Sequence, residues 1–285
     1  MGAEPLEIRG SEYSKRGESL LFSGFKDDFR NKSFREVLLI HMNLSIKKSI
    51  LTWLGLCVGG ILVSFSGTLS LESGSEVVPL LELYTSQGCS SCPPAERWVS
   101  DLLEDEALWK GYVPVVFHVD YWDSLGWKDP YARAVFTQRQ RAYASELGMR
   151  TIYTPGFFYQ GEEWRGFFQR RNLPKVKAVS VGTLKAEISG NEVQALFDGD
   201  RSDVQVHVAL LGFDLETAVA RGENGGRHLK SDFVVLEYLS TDMESSGATR
   251  MQLKLDAVAP RYGIAIWLTR KSAGAAPIQA VGGFL

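Results

Sequence analysis

The stretch PLLELYTSQGCSSCPP, residues 79–94, decides the reading of this chain. Its apolar run at 79–84 carries apolar side chains on both faces, the pattern of a strand buried in a parallel sheet. Ser86, Gln87 and Gly88 then turn the chain, and a helix is expected from Cys89 to about Trp109, with Pro93 and Pro94 tolerated near its first turn. Cys89 and Cys92 stand three apart at that helix start, where backbone N–H groups and the helix dipole favour a thiolate. Thiol–disulfide exchange needs such a pair, one exposed thiolate to attack and a second thiol to resolve the mixed disulfide. Cys89 is the expected nucleophile and Cys92 the resolving thiol. A structural disulfide and half of a zinc site are the competing readings. A disulfide closing so short a loop adds little stability. Zinc takes four ligands, yet the only other cysteine is Cys57, and His118, His207 and His228 are far apart in sequence. No metal is expected.

Upstream lies an uncharged apolar run, residues 50–71, preceded by Lys47 and Lys48. That is the layout of an export signal, and its length also suffices for a membrane-spanning anchor. Ser64-Phe65-Ser66 offers a small-x-small cleavage site. Residues 1–41 are unlike a signal and read as a mis-assigned extension before a true start at Met42, or as a cytoplasmic tail on an anchored protein. Residues 42–70 are then the signal peptide or anchor. Either way the folded part lies outside the cytoplasm, where a disulfide persists. Membrane contact is expected only through this segment, if it is uncleaved.

The formal charge is −3, and beyond residue 48 there are 22 basic against 27 acidic residues. Phosphate binding wants clustered positive charge, so no nucleic acid is expected as partner. With 45% hydrophobic and 11% aromatic residues the chain does not read as disordered. Val113–Val119 reads as a second buried strand, 120–129 as aromatic loop, and 130–147 as a helix closed by Gly148. Together 120–148 form a helical insert. From Thr183 onward apolar and polar residues alternate in short runs, the mark of antiparallel strands.

Three groups beyond the cysteines could carry chemistry. Glu82, a carboxylate within an apolar strand, is expensive to bury without a partner; Arg97 is a candidate for that partner. His118, Asp120 and Asp123 cluster at the end of the second strand, where ligand sites of open α/β sheets gather. A His–Asp pair there could shuttle protons; more plainly, the histidine is hydrogen-bonded core and the aspartates cap turns. Tyr121 and Trp122 floor a peptide groove or pack the insert helix. Arg133, Arg139 and Arg141 read as a solvated helix face, and Gly222–Gly226 as a turn between strands.

LELYTSQGCSSCPPA at 81–95, FHVDYWDSLGWKDP at 117–130, Tyr153-Thr154-Pro155 and RGENGGRH at 221–228 together resemble the exported bacterial family called DUF1223, over roughly residues 77–285. Members are classed with the thioredoxin-like superfamily. The resemblance implies an α/β fold: a thioredoxin-like domain over 77–180 followed by a mostly antiparallel β-rich module over 181–285. It also implies a cis Pro155 facing the cysteines, with Thr154 meeting an incoming peptide, and a role for Glu82 as proton acceptor to the resolving thiol. The Ser90-Ser91 dipeptide and the insert set the chain apart from thioredoxin proper. The expected activity is thiol–disulfide exchange on a thiol- or disulfide-bearing protein or a small thiol. No organic cofactor is expected, because the Cys89–Cys92 disulfide is itself the redox centre. The alternative is a non-enzymatic envelope binding module, the pair serving as redox sensor, clip or Cu(I) site.

Overall fold

The computed structural model describes residues 67–254 and 256–285, so the expectations for 1–41 and for nearly all of the 42–70 leader lie outside the described residues. The end of the apolar run belongs to the fold. Leu69–Glu72 is strand β1, paired antiparallel with Leu184–Ser189 (β6). Among the described residues no helix is long and apolar enough to cross a membrane.

Two apolar runs make the parallel heart of the molecule. Leu80–Thr85 (β2) and Val113–His118 (β3) are buried at every position and pair from Leu80↔Val113 to Thr85↔His118. The helix between them is shorter than the sequence suggests. It covers Pro93–Asp101 (α1), because Cys89 to Cys92 form turns and the chain tightens into a 3₁₀ turn at Leu102–Glu104. The insert carries Ala134–Glu146 (α2), and Gly148 has the positive φ of a helix-ending glycine. Gly156–Tyr159 (β4) pairs antiparallel with β2, and Glu162–Glu163 (β5) closes that edge.

The boundary expected at 180/181 separates nothing: residues Phe65–Leu285 form one compact unit. Val204–Phe213 (β8), Val234–Asp242 (β11), Arg261–Arg270 (β13) and Pro277–Phe284 (β14) extend the same sheet, in the order β14-β13-β8-β11-β3-β2-β4-β5. β11 lies parallel to β3, while β8, β13 and β14 continue antiparallel. β8 and β13 are buried along nearly their whole length, so both of their faces need cover. One-sided alternation marks instead the smaller antiparallel sheet of β1, β6, Glu192–Phe197 (β7) and Ala248–Gln252 (β12), ordered β1-β6-β7-β12. The described residues are therefore mostly β, with one mixed sheet, one four-stranded antiparallel sheet and a separate two-stranded antiparallel ribbon.

Register assigns the faces. Leu83 pairs with Val116, Val116 with Val234, and Val234 with Gly212, so the even positions of β8 share a face with Leu83 and Thr85. The smaller sheet buries Ala186, Val193 and Phe197 against Val206, Leu210 and Ile264 on that face, and α1 covers it over β2. The opposite face, with Glu82 and Tyr84, is covered by α2.

Candidate functional site

Cys89 and Cys92 are free thiols at the carboxyl end of β2, with their sulfurs 2.7 Å apart and Cys92 donating to Cys89. Cys92 is the N-cap of α1, and Cys89 lies three residues outside it. The helix gives Cys89 no N–H groups: Pro93 and Pro94 have none, and the amides of Ala95 and Glu96 bond the Cys92 carbonyl. Side chains take over that task. The Cys92 thiol is the largest influence lowering Cys89 to about 6, assisted by hydrogen bonds from Ser91 and Thr154 against the opposing cost of burial. Burial pushes the Cys92 thiol well up, and the neighbouring Cys89 adds to the shift. The geometry thus separates an easily ionised thiol from a reluctant one.

Cys89 is not the exposed thiolate expected from sequence. It is 1% exposed, although Ser90 and Ser91 beside it are open to solvent. A collar accounts for this. Leu215–Ala218 (β9) and His228–Ser231 (β10) form a two-stranded ribbon whose connecting strap lies across the cysteine turn. The fully buried Asn224 donates from Nδ2 to the carbonyls of Gln87 and Cys89, both at 2.9 Å, and Glu223 accepts from Ser90 N at 2.9 Å. Gly222 packs against Trp127, whose Nε1 donates to Gln87 Oε1. The stretch expected to be a plain turn between strands is a clamp on the site.

On the other side stand the insert loop and the residues before β4. The Thr154–Pro155 peptide is cis, and the Thr154 carbonyl lies 3.9 Å from Cys89 Sγ. Trp122 packs on Gly88 and donates from Nε1 to Thr154 Oγ1 at 2.8 Å. Tyr121 donates to Gln140 Oε1 at 3.4 Å, and Gln140 donates to the Tyr153 carbonyl at 2.7 Å. Thr154, Pro155, Trp122 and Tyr121 therefore do gather at the cysteines.

Glu82 does not. Period two in β2 turns it away from Thr85 and α1, onto the face under α2, where Arg139 grips it from Nε at 2.7 Å and Nη2 at 2.9 Å. The Tyr84 and Tyr143 hydroxyls also donate to it. Arg139, not Arg97, is the partner, and it is not part of a solvated face: its side chain is 8% exposed, whereas Arg133 and Arg141 are exposed residues. The acid near Cys92 is Glu96, one helical turn into α1. Glu96 is buried and accepts from Thr85 Oγ1 and Ser231 Oγ, both at 2.7 Å, and the Thr85 hydroxyl also reaches Cys92. Spacing held that clue, since Cys92 and Glu96 stand at i and i+4.

His118 is completely buried and bonds through Nδ1 to Asp129 Oδ2 at 2.7 Å, with Nε2 unpartnered. Burial opposes charge on both, but their mutual attraction prevails, holding His118 above and Asp129 below their ordinary values. Asp129 also accepts from Gln87 N and Tyr131 N, tying the pair to the cysteine turn. Asp120 and Asp123 are turn supports: Asp120 accepts from Thr137 Oγ1 and Asp123 from Asp129 N. Among the described residues no three His, Cys, Asp or Glu side chains gather as a metal site would need. A cleft of about 570 Å³ lined by Trp98, Leu102, Tyr112 and Tyr159 includes none of the cysteine-site residues.

Fold and site together define a mixed-sheet protein that carries a covered Cys-x-x-Cys pair at the end of a parallel strand. Residues 80–269 match the family described as a protein of unknown function, DUF1223, and the chain belongs to that family. Among solved structures it is similar to the crystal structure of protein AGR_C_4864 from Agrobacterium tumefaciens, at 26% identity and a TM-score of 0.52, over 73% of this chain and 94% of that one. HBP35 of Porphyromonas gingivalis aligns at 15% identity and a TM-score of 0.48, over 74% of this chain and 76% of that one. A comparison with curated proteins found no match.

Proposed function

We propose that this chain is an exported thiol–disulfide oxidoreductase built on a thioredoxin-like plan, acting on a thiol- or disulfide-bearing protein or a small thiol. The observation that carries the reading is the asymmetry of the pair: one thiol lowered to about 6 beside a second, buried one held in its protonated form. The Cys89 thiolate attacks a substrate disulfide, forming a mixed disulfide and expelling one substrate thiolate. Cys92 then gives up its proton and attacks Cys89 Sγ, closing the Cys89–Cys92 disulfide and releasing the second substrate thiol. Glu96 receives that proton through the Thr85 hydroxyl, which donates to the carboxylate and takes up the Cys92 hydrogen once Cys89 Sγ is engaged in the mixed disulfide. The parallel β2–β3 core, the helix starting at Cys92 and the Thr154 carbonyl facing Cys89 support the thioredoxin-like plan. Export is supported by the lysine-flanked apolar run and by Ser64-Phe65-Ser66, which stands just ahead of β1.

Two experiments test this. Cys92→Ala should leave mixed disulfides on Cys89, visible as partner adducts on non-reducing gels from the native compartment; a clean lane would sink the oxidoreductase reading. Iodoacetamide alkylation of Cys89 should rise with pH through a midpoint near 6, because only the thiolate reacts and the thiol form dominates below that point.

A further inference from the structure

We propose that the cleft beside the far end of α1 binds a small amphipathic carboxylate, its apolar body on Trp98, Leu102 and Tyr112 and its head met by the Tyr159 hydroxyl, Arg171 and Lys175. This site is separate from the cysteines and does not depend on the exchange proposed for them. Cys92 caps one end of α1, whereas the cleft takes Trp98 from the second turn and Leu102 from just past the last residue.

Three walls enclose about 570 Å³, within the range of about 300–1,000 Å³ usual for small-molecule sites. The floor comes from the sheet. Tyr159 pairs with Leu81 and so lies on the face that α1 covers, while Tyr112 stands just ahead of β3. The second wall is Trp98, held by Phe157 and Trp164 with ring centroids at 5.5 and 5.3 Å. Residues 171–176 make the third. They have no regular structure, yet Leu173 and Val176 pack on the core. Hydrogen bonds pin the segment on either side: Arg171 N donates to the Gly166 carbonyl at 2.9 Å, and Val77 N to the Val179 carbonyl at 3.0 Å.

The polar groups of the lining decide what the cleft takes. Tyr159 is 7% exposed, and burial is the only influence on its hydroxyl, which has no hydrogen-bond partner among the described residues. Its hydrogen is therefore left for a ligand. Arg171 and Lys175 are exposed lining residues that form no ion pair among the described residues. The acid of the lining, Asp105, is already committed: Oδ1 accepts from Ala107 N at 2.8 Å and Oδ2 from the Tyr112 hydroxyl at 2.7 Å. Two unpaired cations and one unused donor, against a carboxylate with both oxygens engaged, select an anionic head. The aromatic and aliphatic walls gain only from an apolar body that displaces water from them. A bare inorganic anion leaves those walls wet, and a purely apolar molecule leaves the cations and the hydroxyl unmatched.

The test is calorimetric titration of the full-length protein with decanoate, decanol and decyltrimethylammonium, each kept monomeric, with thermal melts to verify folding of the variants. Decanoate should bind one molecule per chain, about 10-fold or more tightly than the cationic amphiphile. Arg171→Ala combined with Lys175→Ala, a change confined to exposed side chains, should weaken decanoate about 5-fold and leave decanol as it was. Tyr159→Phe removes only the hydroxyl and should weaken decanoate about 10-fold, the worth of a hydrogen bond to a charged group. Ala107→Trp, which fills the cleft from its rim, should abolish the binding. Absence of saturable decanoate binding overturns the inference, as does equal binding of the cationic amphiphile. So does an affinity unmoved by Ala107→Trp or Tyr159→Phe, or a charge variant that weakens decanol as much as decanoate. None of these measurements involves the cysteines, so their outcome is separate from that of the exchange experiments.

Discussion

Arg139→Leu should destabilise the fold by about 3–5 kcal/mol, the cost of breaking a buried ion pair by removing one partner. The pair is almost wholly withdrawn from water, with the Glu82 side chain 1% and the Arg139 side chain 8% exposed. Without the guanidinium, Glu82 keeps only the Tyr84 and Tyr143 hydroxyls, which hydrogen-bond its charge but do not neutralise it. Arg139 also lies over the rings of Phe117, Tyr143 and Trp267 at 5.2–5.9 Å, so its loss opens packing on the same face. For a unit of this size each kcal/mol lowers Tm by about 2–4 °C, so calorimetry should show a fall of roughly 10 °C or more. Combining Glu82→Leu with Arg139→Leu should recover most of the loss, since no uncompensated charge then remains. A single variant melting within a degree of wild type would show that the pair does not hold the α2 face. Because Glu82 faces away from the cysteines, the Cys89 alkylation midpoint should not move in the folded variant.

Glu96→Gln should act in the opposite way, leaving the fold in place while slowing resolution. The amide carbonyl still accepts from one hydroxyl, but it takes up no proton. Loss of a positioned base costs about 10²–10⁴-fold in a proton-transfer step. Mixed disulfides on Cys89 should therefore outlive those of wild type by at least about 100-fold, while the first attack proceeds at its ordinary rate. Stopped-flow measurement of the two phases separates them. Equal slowing of both phases, or of neither, removes Glu96 from the mechanism.

Much of this was visible in the chain, and what was hidden was hidden for definite reasons. β2 and β3 announce themselves because a strand covered on both faces must be apolar throughout, and Cys89 and Cys92 mark the turn that follows. Thr154 and Pro155 were legible through resemblance. Glu82 was recognised as too costly to bury alone, but its partner stands 57 residues away on α2, and no local pattern reports a contact across a sheet. Arg139 sits between exposed arginines in a helix with little amphipathic signal. Asn224 lies among glycines, so its neighbourhood reads as flexible turn even though the side chain is fully buried. The supposed boundary near 180 failed because alternation is genuine only in the smaller sheet and the short ribbon, while the long strands beyond 180 belong to the central sheet. β8 opens on an alternating Val-Gln-Val-His and β13 carries its polar residues at its ends, so both hide their membership of the central sheet.

The collar has a further meaning in time. Asn224 follows Cys89 by 135 residues, and β3 finds its parallel neighbour β11 only after most of the chain has been made. Pairings so distant in sequence close slowly, because loop entropy is spent before any contact repays it. While the polypeptide is being synthesised, and until residues 215–231 have folded over the turn, both thiols stand bare. The clamp comes from far down the chain, so the interval during which a stray oxidant can reach them is set by how fast residues 215–231 fold over the turn.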